Sequence, residues 1–184
     1  MKKTLCILMA LVVTASLVAC GESGSSEKAD KKSGNEVTEV KADYPKYDTT
    51  KDLVDAADLI FTGKIIDWHS EMLDIRENKG TDESTGSKST SKLPYTIYDI
   101  EVSKMYKGTS EDKAIQIKCI GGSVDGTVYE SDMTNQMKKN GEYLFLATTF
   151  ENSYPSLVND TQALYDLDNK DNTKMADEIL DQVK

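Results

Sequence analysis

Asn140-Gly141-Glu142-Tyr143-Leu144-Phe145-Leu146-Ala147 is the stretch that decides the fold. Asn-Gly is a turn signal, and residues 143–147 are apolar at every position. A strand apolar on both faces needs cover on both sides, so 143–147 is expected at the centre of a sheet. Upstream, Tyr98, Ile100 and Val102 alternate with Asp99, Glu101 and Ser103, the period of a half-buried strand closed by Lys107-Gly108. Leu59, Phe61, Gly63 and Ile65 alternate with Ile60, Thr62 and Lys64. Ile115, Ile117 and Cys119 alternate with Gln116, Lys118 and Ile120, and Gly121-Gly122 ends that strand with a turn requiring positive φ.

Shorter pieces complete the pattern. Val124 to Tyr129 predicts a fourth strand around Gly126, while Tyr154–Val158 and Ala163–Leu167 predict a closing hairpin. Thr49 or Thr50 is placed to cap a short helix whose apolar side is Leu53, Val54, Ala56 and Ala57. Residues 173–183 predict an amphipathic helix capped by Asn172 or Thr173, with Met175, Ile179, Leu180 and Val183 on one side. Short strands with a helix at each end define a mainly β class: a small β-barrel or curled sheet over residues 44–184, with a short N-terminal helix and a C-terminal amphipathic helix. Between Glu77 and Lys92 there is no large apolar residue, so 77–92 is expected to be a flexible, solvated loop.

The N-terminus is organised differently. Met1-Lys2-Lys3 is cationic, and Leu5 to Ala19 is apolar apart from Thr14 and Ser16. That run is shorter than the roughly 20 residues of a spanning helix, but it suits a secretory signal peptide. Leu17-Val18-Ala19-Cys20 resembles the lipobox of bacterial lipoproteins. The resemblance implies cleavage after residue 19, lipidation of Cys20 and attachment to the bilayer at the extracytoplasmic face of the cell membrane. More than one acyl chain makes such an attachment durable, since each buried CH₂ adds about 0.8 kcal/mol. Residues 20–43 then hold Gly, Ser, Lys, Glu and Asp with few apolar side chains, which predicts a disordered tether.

Charge and cysteine usage narrow the function classes. The formal net charge is −10, and it grows more negative once Lys2 and Lys3 are removed. Nucleic acid is excluded as a partner, because it demands clustered Lys and Arg. With Cys20 committed to lipid, Cys119 stands alone in the exported domain, so no intrachain disulfide is available and the core must carry stability.

The order of the pieces resembles a β-barrel module of bacterial envelope proteins. Ala57-Asp58-Leu59-Ile60-Phe61-Thr62-Gly63, Lys107-Gly108, Gly121-Gly122, and Gly141-Glu142-Tyr143-Leu144-Phe145-Leu146 after Lys138-Lys139 carry the likeness, over roughly residues 50–168. That module looks like an OB-type barrel, akin to tissue inhibitors of metalloproteinases and netrin-type domains. These are turn and core residues, so the resemblance implies a fold and transfers no activity. The inhibitors approach a protease zinc with a free amino-terminal cysteine; here Cys20 is read as acylated.

Trp68-His69 is the only Trp and the only His, and with Tyr95 it forms the candidate lip of a ligand groove. A single histidine without further soft ligands makes no zinc site. Cys119 shares a face with two isoleucines and reads as core. Ser123 lacks the G-x-S-x-G elbow of a nucleophile. From Asp166 an EF-hand register fails at Lys170, Asp171 and Asp177, so 166–171 reads as a solvated turn, and no metal or other cofactor is expected. The loop at 82–92 is read as a solvated connection, with recognition as the alternative. The reading is therefore a non-catalytic binding or accessory module whose partner is an envelope protein or polymer. A modulator or inhibitor of an envelope enzyme is the alternative, and a hydrolase a more distant one.

Overall fold

The structure is a computed structural model that describes residues 36–74, 92–110, 112–133 and 136–183. The signal peptide, Cys20, the first part of the tether and nearly all of the 77–92 loop lie outside the described residues. Within them the chain is mainly β with two helices: β1 (Glu36–Glu39), α1 (Thr50–Ala56), β2 (Leu59–Asp74), β3 (Lys92–Lys107), β4 (Ala114–Ile120), β5 (Gly122–Val124), β6 (Thr127–Glu130), β7 (Glu142–Phe150), β8 (Ser153–Leu157), β9 (Leu164–Asp166) and α2 (Lys170–Gln182).

The apolar run at 143–147 is central, as its two apolar faces require. β7 pairs with β2 along one edge, and β9 and β8 take successive halves of its other edge. Leu144, Phe145, Leu146 and Ala147 are fully buried, and Phe145 stacks on Phe61 of β2 at 5.0 Å between centroids. Ile65, Ile100, Ile117 and Cys119 belong to the same core.

The short motifs at the strand ends have structural explanations. Thr49 caps α1, its Oγ1 accepting the Asp52 N–H at 3.1 Å. Lys107 Nζ donates to the carbonyls of Val54 (2.8 Å) and Asp55 (3.3 Å), satisfying acceptors at the other end of the helix. Asp58 Oδ2 accepts the backbone N–H of Thr149 at 2.8 Å and both the Thr148 and Thr149 hydroxyls. Those bonds, the Thr149 N–H first, hold its carboxyl below the usual range. Gly108, at φ 80°, passes so close to Asp58 that a Cβ there would lie 2.5 Å from the Asp58 carbonyl oxygen.

Pairing in the large sheet runs β2-β3-β4-β8-β7-β9, with β2 also meeting β7. β4 and β8 run parallel and meet at the single pair Lys118–Ser156. The seam between them is not laced along its length, so the closed small barrel expected from the sequence is matched only as a curled, mainly β sheet.

Four local expectations are corrected. Residues 36–39, read as tether, are β1, which pairs in parallel with β6. Residues 124–129 are not one strand but most of the β5–β6 hairpin, turning at Asp125 (φ 50°) and Gly126 (φ 84°) as a two-residue turn demands. The two late segments do not form a hairpin with each other, because both pair with β7. The last helix starts at Lys170 and is capped by Asn169, whose Oδ1 accepts the Asp171 N–H at 3.0 Å. Its buried residues are Ala176 and Ile179, while Met175 is exposed.

β1 is held lightly. All four of its residues are exposed, and only the following Val40 packs on the body. A main-chain hydrogen bond nets about 0.5–1.5 kcal/mol, whereas fixing a residue's backbone costs about 1–2 kcal/mol. The two nearly cancel in such a strand.

Candidate functional site

Neighbouring residues on a strand point to opposite faces, and this splits the pair singled out in the sequence. Trp68 lies opposite Tyr98 on β3, its ring 6.1 Å from the tyrosine ring, and remains 44% exposed. His69 turns the other way, opposite Ile97, with Glu71 of the same face opposite Tyr95. His69 Nε2 lies 3.7 Å from Glu71 Oε1, and both side chains are partly exposed. The structure thus brings His69 and Tyr95 to one face and sends Trp68 to the other.

On the face of Tyr95, β3 and β4 carry a small second cluster of Tyr95, Ile97 and Ile120, flanked by Val40, Leu73 and Tyr154. Lys118 shares this face, two residues before Ile120. It is only 6% exposed. Its Nζ donates to Ser153 Oγ at 2.7 Å and sits over the Phe150 ring at 4.2 Å, with the Tyr95 ring at 5.9 Å. Among the described residues no carboxylate pairs with it. Burial lowers its pKa from the ordinary lysine value, since desolvation disfavours the charged form. The ammonium is therefore compensated by aromatic faces and one hydroxyl, in a strip running from Tyr95 past Lys118 to the half-exposed Phe150 and to Tyr154. Such a strip suits an anionic group flanked by apolar or planar surface.

Sequence reasoning found Tyr95 and missed Lys118, Phe150 and Tyr154. A lysine in an alternating strand reads as solvated. The available signal was Ile120, an apolar residue on the face otherwise set by Gln116 and Lys118.

The remaining candidates take part in core packing or local hydrogen bonds. Cys119 is buried and its thiol is pushed up to about 12 by desolvation, which makes it a core residue. The Ser123 N–H donates to Ser70 Oγ at 3.3 Å, part of a polar ladder in which Ser70 Oγ meets Thr96 Oγ1 and Thr96 donates to the Gly121 carbonyl. Asp166 Oδ1 accepts the Asp168 N–H at 2.9 Å in the turn before α2. Among the described residues no group of three His, Cys, Asp or Glu is arranged to hold a metal, and no helix is long and apolar enough to cross a membrane. No protein-family model matches the chain, and no curated protein is significantly similar to it.

A buried ammonium without a carboxylate is costly to the fold, so Lys118→Met is expected to stabilise the protein at neutral pH by about 1 kcal/mol. The folded pKa lies below the unfolded value, so the unfolded state binds more protons as pH rises through the folded pKa towards 10.5. Wild type therefore gains stability across that window and the variant does not, so the difference should shrink in urea melts taken at successively higher pH. A variant less stable than wild type at neutral pH would make Lys118 a structural pin across the seam.

Proposed function

We propose that this chain is a lipoprotein, anchored through acylated Cys20 at the extracytoplasmic face of the cell membrane. It displays an OB-type barrel as a non-catalytic binding module for an envelope protein or polymer. The order of strand pairing supports the barrel reading: β2-β3-β4-β8-β7, with β2 beside β7 and a parallel contact between β4 and β8. The lipobox at Leu17-Val18-Ala19-Cys20 supports the anchor. The observation that carries a binding role is Lys118, an ammonium kept in the fold against its desolvation cost and without a carboxylate partner among the described residues. An anionic group on the ligand completes it. In the low-dielectric strip that contact is stronger than at an open surface.

The test is photo-crosslinking in cells from positions 150 and 154, with position 175 on α2 as control. The proposal expects adducts from the first two sites that disappear in Lys118→Met and are absent from the third. Adducts that survive Lys118→Met, or form equally at 175, would overturn the ligand face. In parallel, Cys20→Ala should abolish labelled-palmitate incorporation and release the protein from the membrane pellet. Labelling that persists would overturn the anchor.

A further inference from the structure

β1 and Val40 occupy a place on the domain that resembles a filled binding groove. The strand runs parallel to β6 in the register Glu36–Thr127, Val37–Val128, Thr38–Tyr129 and Glu39–Glu130, and the Val40 N–H continues it to the Glu130 carbonyl at 2.8 Å. Val40 packs on Tyr95, Ile97 and Ile120. Lys41 follows; Glu39 of its own segment is the main cause that holds its ammonium charged, with a smaller contribution from Asp132, which lines the same cleft as Lys41. Side-chain anchoring before Val40 is weak. Val37 is 59% exposed, and Glu39 pairs with Lys41 of its own segment. A cleft of about 400 Å³ lies between Val37–Lys41 and Glu130–Asp132.

The connection to the rest of the domain has the form of a hinge. Lys41, Ala42 and Asp43 are exposed. Immediately beyond them the chain is fixed by two amide side chains, the buried Asn159 and the half-buried Gln162. Asn159 Nδ2 donates to the Pro45 carbonyl at 3.1 Å, and Gln162 binds both the N–H and the carbonyl of Tyr47. Releasing residues 36–40 therefore breaks few contacts and leaves the 45–47 attachment intact.

We propose that the β6 edge is a strand-acceptor site, filled in cis by residues 36–40 and opened to an extended segment of a partner protein. The partner adds in parallel to β6, puts an apolar side chain on Tyr95, Ile97 and Ile120 where Val40 sits, and follows it with a basic residue facing Asp132. Main-chain bonds supply the affinity and the apolar position supplies the selectivity. The site shares Tyr95 with the ligand face proposed above but does not depend on it. A peptide result and the crosslinks from position 150 fail or succeed separately.

The probe is a labelled peptide of the chain's own segment, Glu-Val-Thr-Glu-Val-Lys, titrated by anisotropy against the full chain in detergent. Three forms are compared: wild type, Val40→Asp, and Val37→Cys/Val128→Cys oxidised to lock the strand. Binding at least tenfold tighter to Val40→Asp than to wild type is expected, with none to the locked form until a reductant is added. Equal binding to all three, or none to a folded Val40→Asp, would overturn the proposal. Hydrogen exchange gives a readout on wild type that needs no variant. The amides of 37–40 should exchange orders of magnitude faster than those of Leu144 and Phe145, and equal protection would overturn the release step.

Discussion

Phe145→Ala is expected to lower the melting temperature by roughly 10 °C, the largest loss from any single truncation in the core. The side chain is fully buried, stacks on Phe61 and lies 6.0 Å from the Tyr143 ring. Its strand is bonded along both edges, by β2 on one side and by β9 and β8 on the other. The backbone therefore cannot move in to close the space. Truncating a buried phenylalanine costs about 3–5 kcal/mol when the surroundings relax little. For a domain of this size each kcal/mol is worth about 2–4 °C. Thermal unfolding followed by circular dichroism measures it. A drop below about 3 °C would mean that β7 is not the centre of the core.

Gly108→Ala is expected to cost about 3 kcal/mol or more, although it adds one methyl group at the end of a strand. Part of the loss is conformational: at φ 80° an L side chain costs roughly 1–2 kcal/mol. The rest is collision, because the new Cβ would lie 2.5 Å from the Asp58 carbonyl oxygen and 2.6 Å from Leu59 Cδ2. Asp58 cannot yield without losing its N–H bond to the Ala147 carbonyl and its carboxylate bonds to Thr148 and Thr149. Gly126→Ala is the control. It has nearly the same φ, 84°, and nothing within 4 Å of the added atom. The difference between the two urea midpoints isolates the close approach, and two equal losses would show that the Gly108–Asp58 contact matters little.

What the sequence made legible follows from how locally each feature is encoded. β7 was legible because Leu144 to Ala147 are apolar at every position, which only a doubly covered strand explains. The second half of β2 was hidden: Asp67, His69, Ser70 and Glu71 carry no strand signature of their own, and their pairing with Tyr95 to Asp99 of β3 holds them extended. β1 was hidden for the same reason, since Glu-Val-Thr-Glu sits in a polar stretch and becomes a strand only because β6 offers it an edge. The hairpin expected at the end of the chain failed because local sequence does not record which edge a strand will join. At the candidate site, Tyr95 was visible as an aromatic near a strand start. Lys118 was not: Ile120 hints that its face is partly covered, but no local residue announces that Phe150 and Ser153 will fold over it. Trp68 and His69 are adjacent in the chain, and the pleat alone separates them.

The single residue pair joining β4 to β8 has a practical consequence. Lys118 stands on one bank of that seam, Ser153 and Tyr154 on the other, and Phe150 beside them at the end of β7. A molecule held by this strip therefore bridges two strands that the backbone barely joins. Binding to the folded state alone raises apparent stability by mass action, about 2.7 kcal/mol at a concentration 100 times the dissociation constant. If the proposed ligand face holds, the seam serves as a reporter. An anionic fragment of an envelope polymer that occupies the strip is expected to raise the melting temperature of wild type and not that of Lys118→Met, and a screen by thermal unfolding checks this without an activity assay.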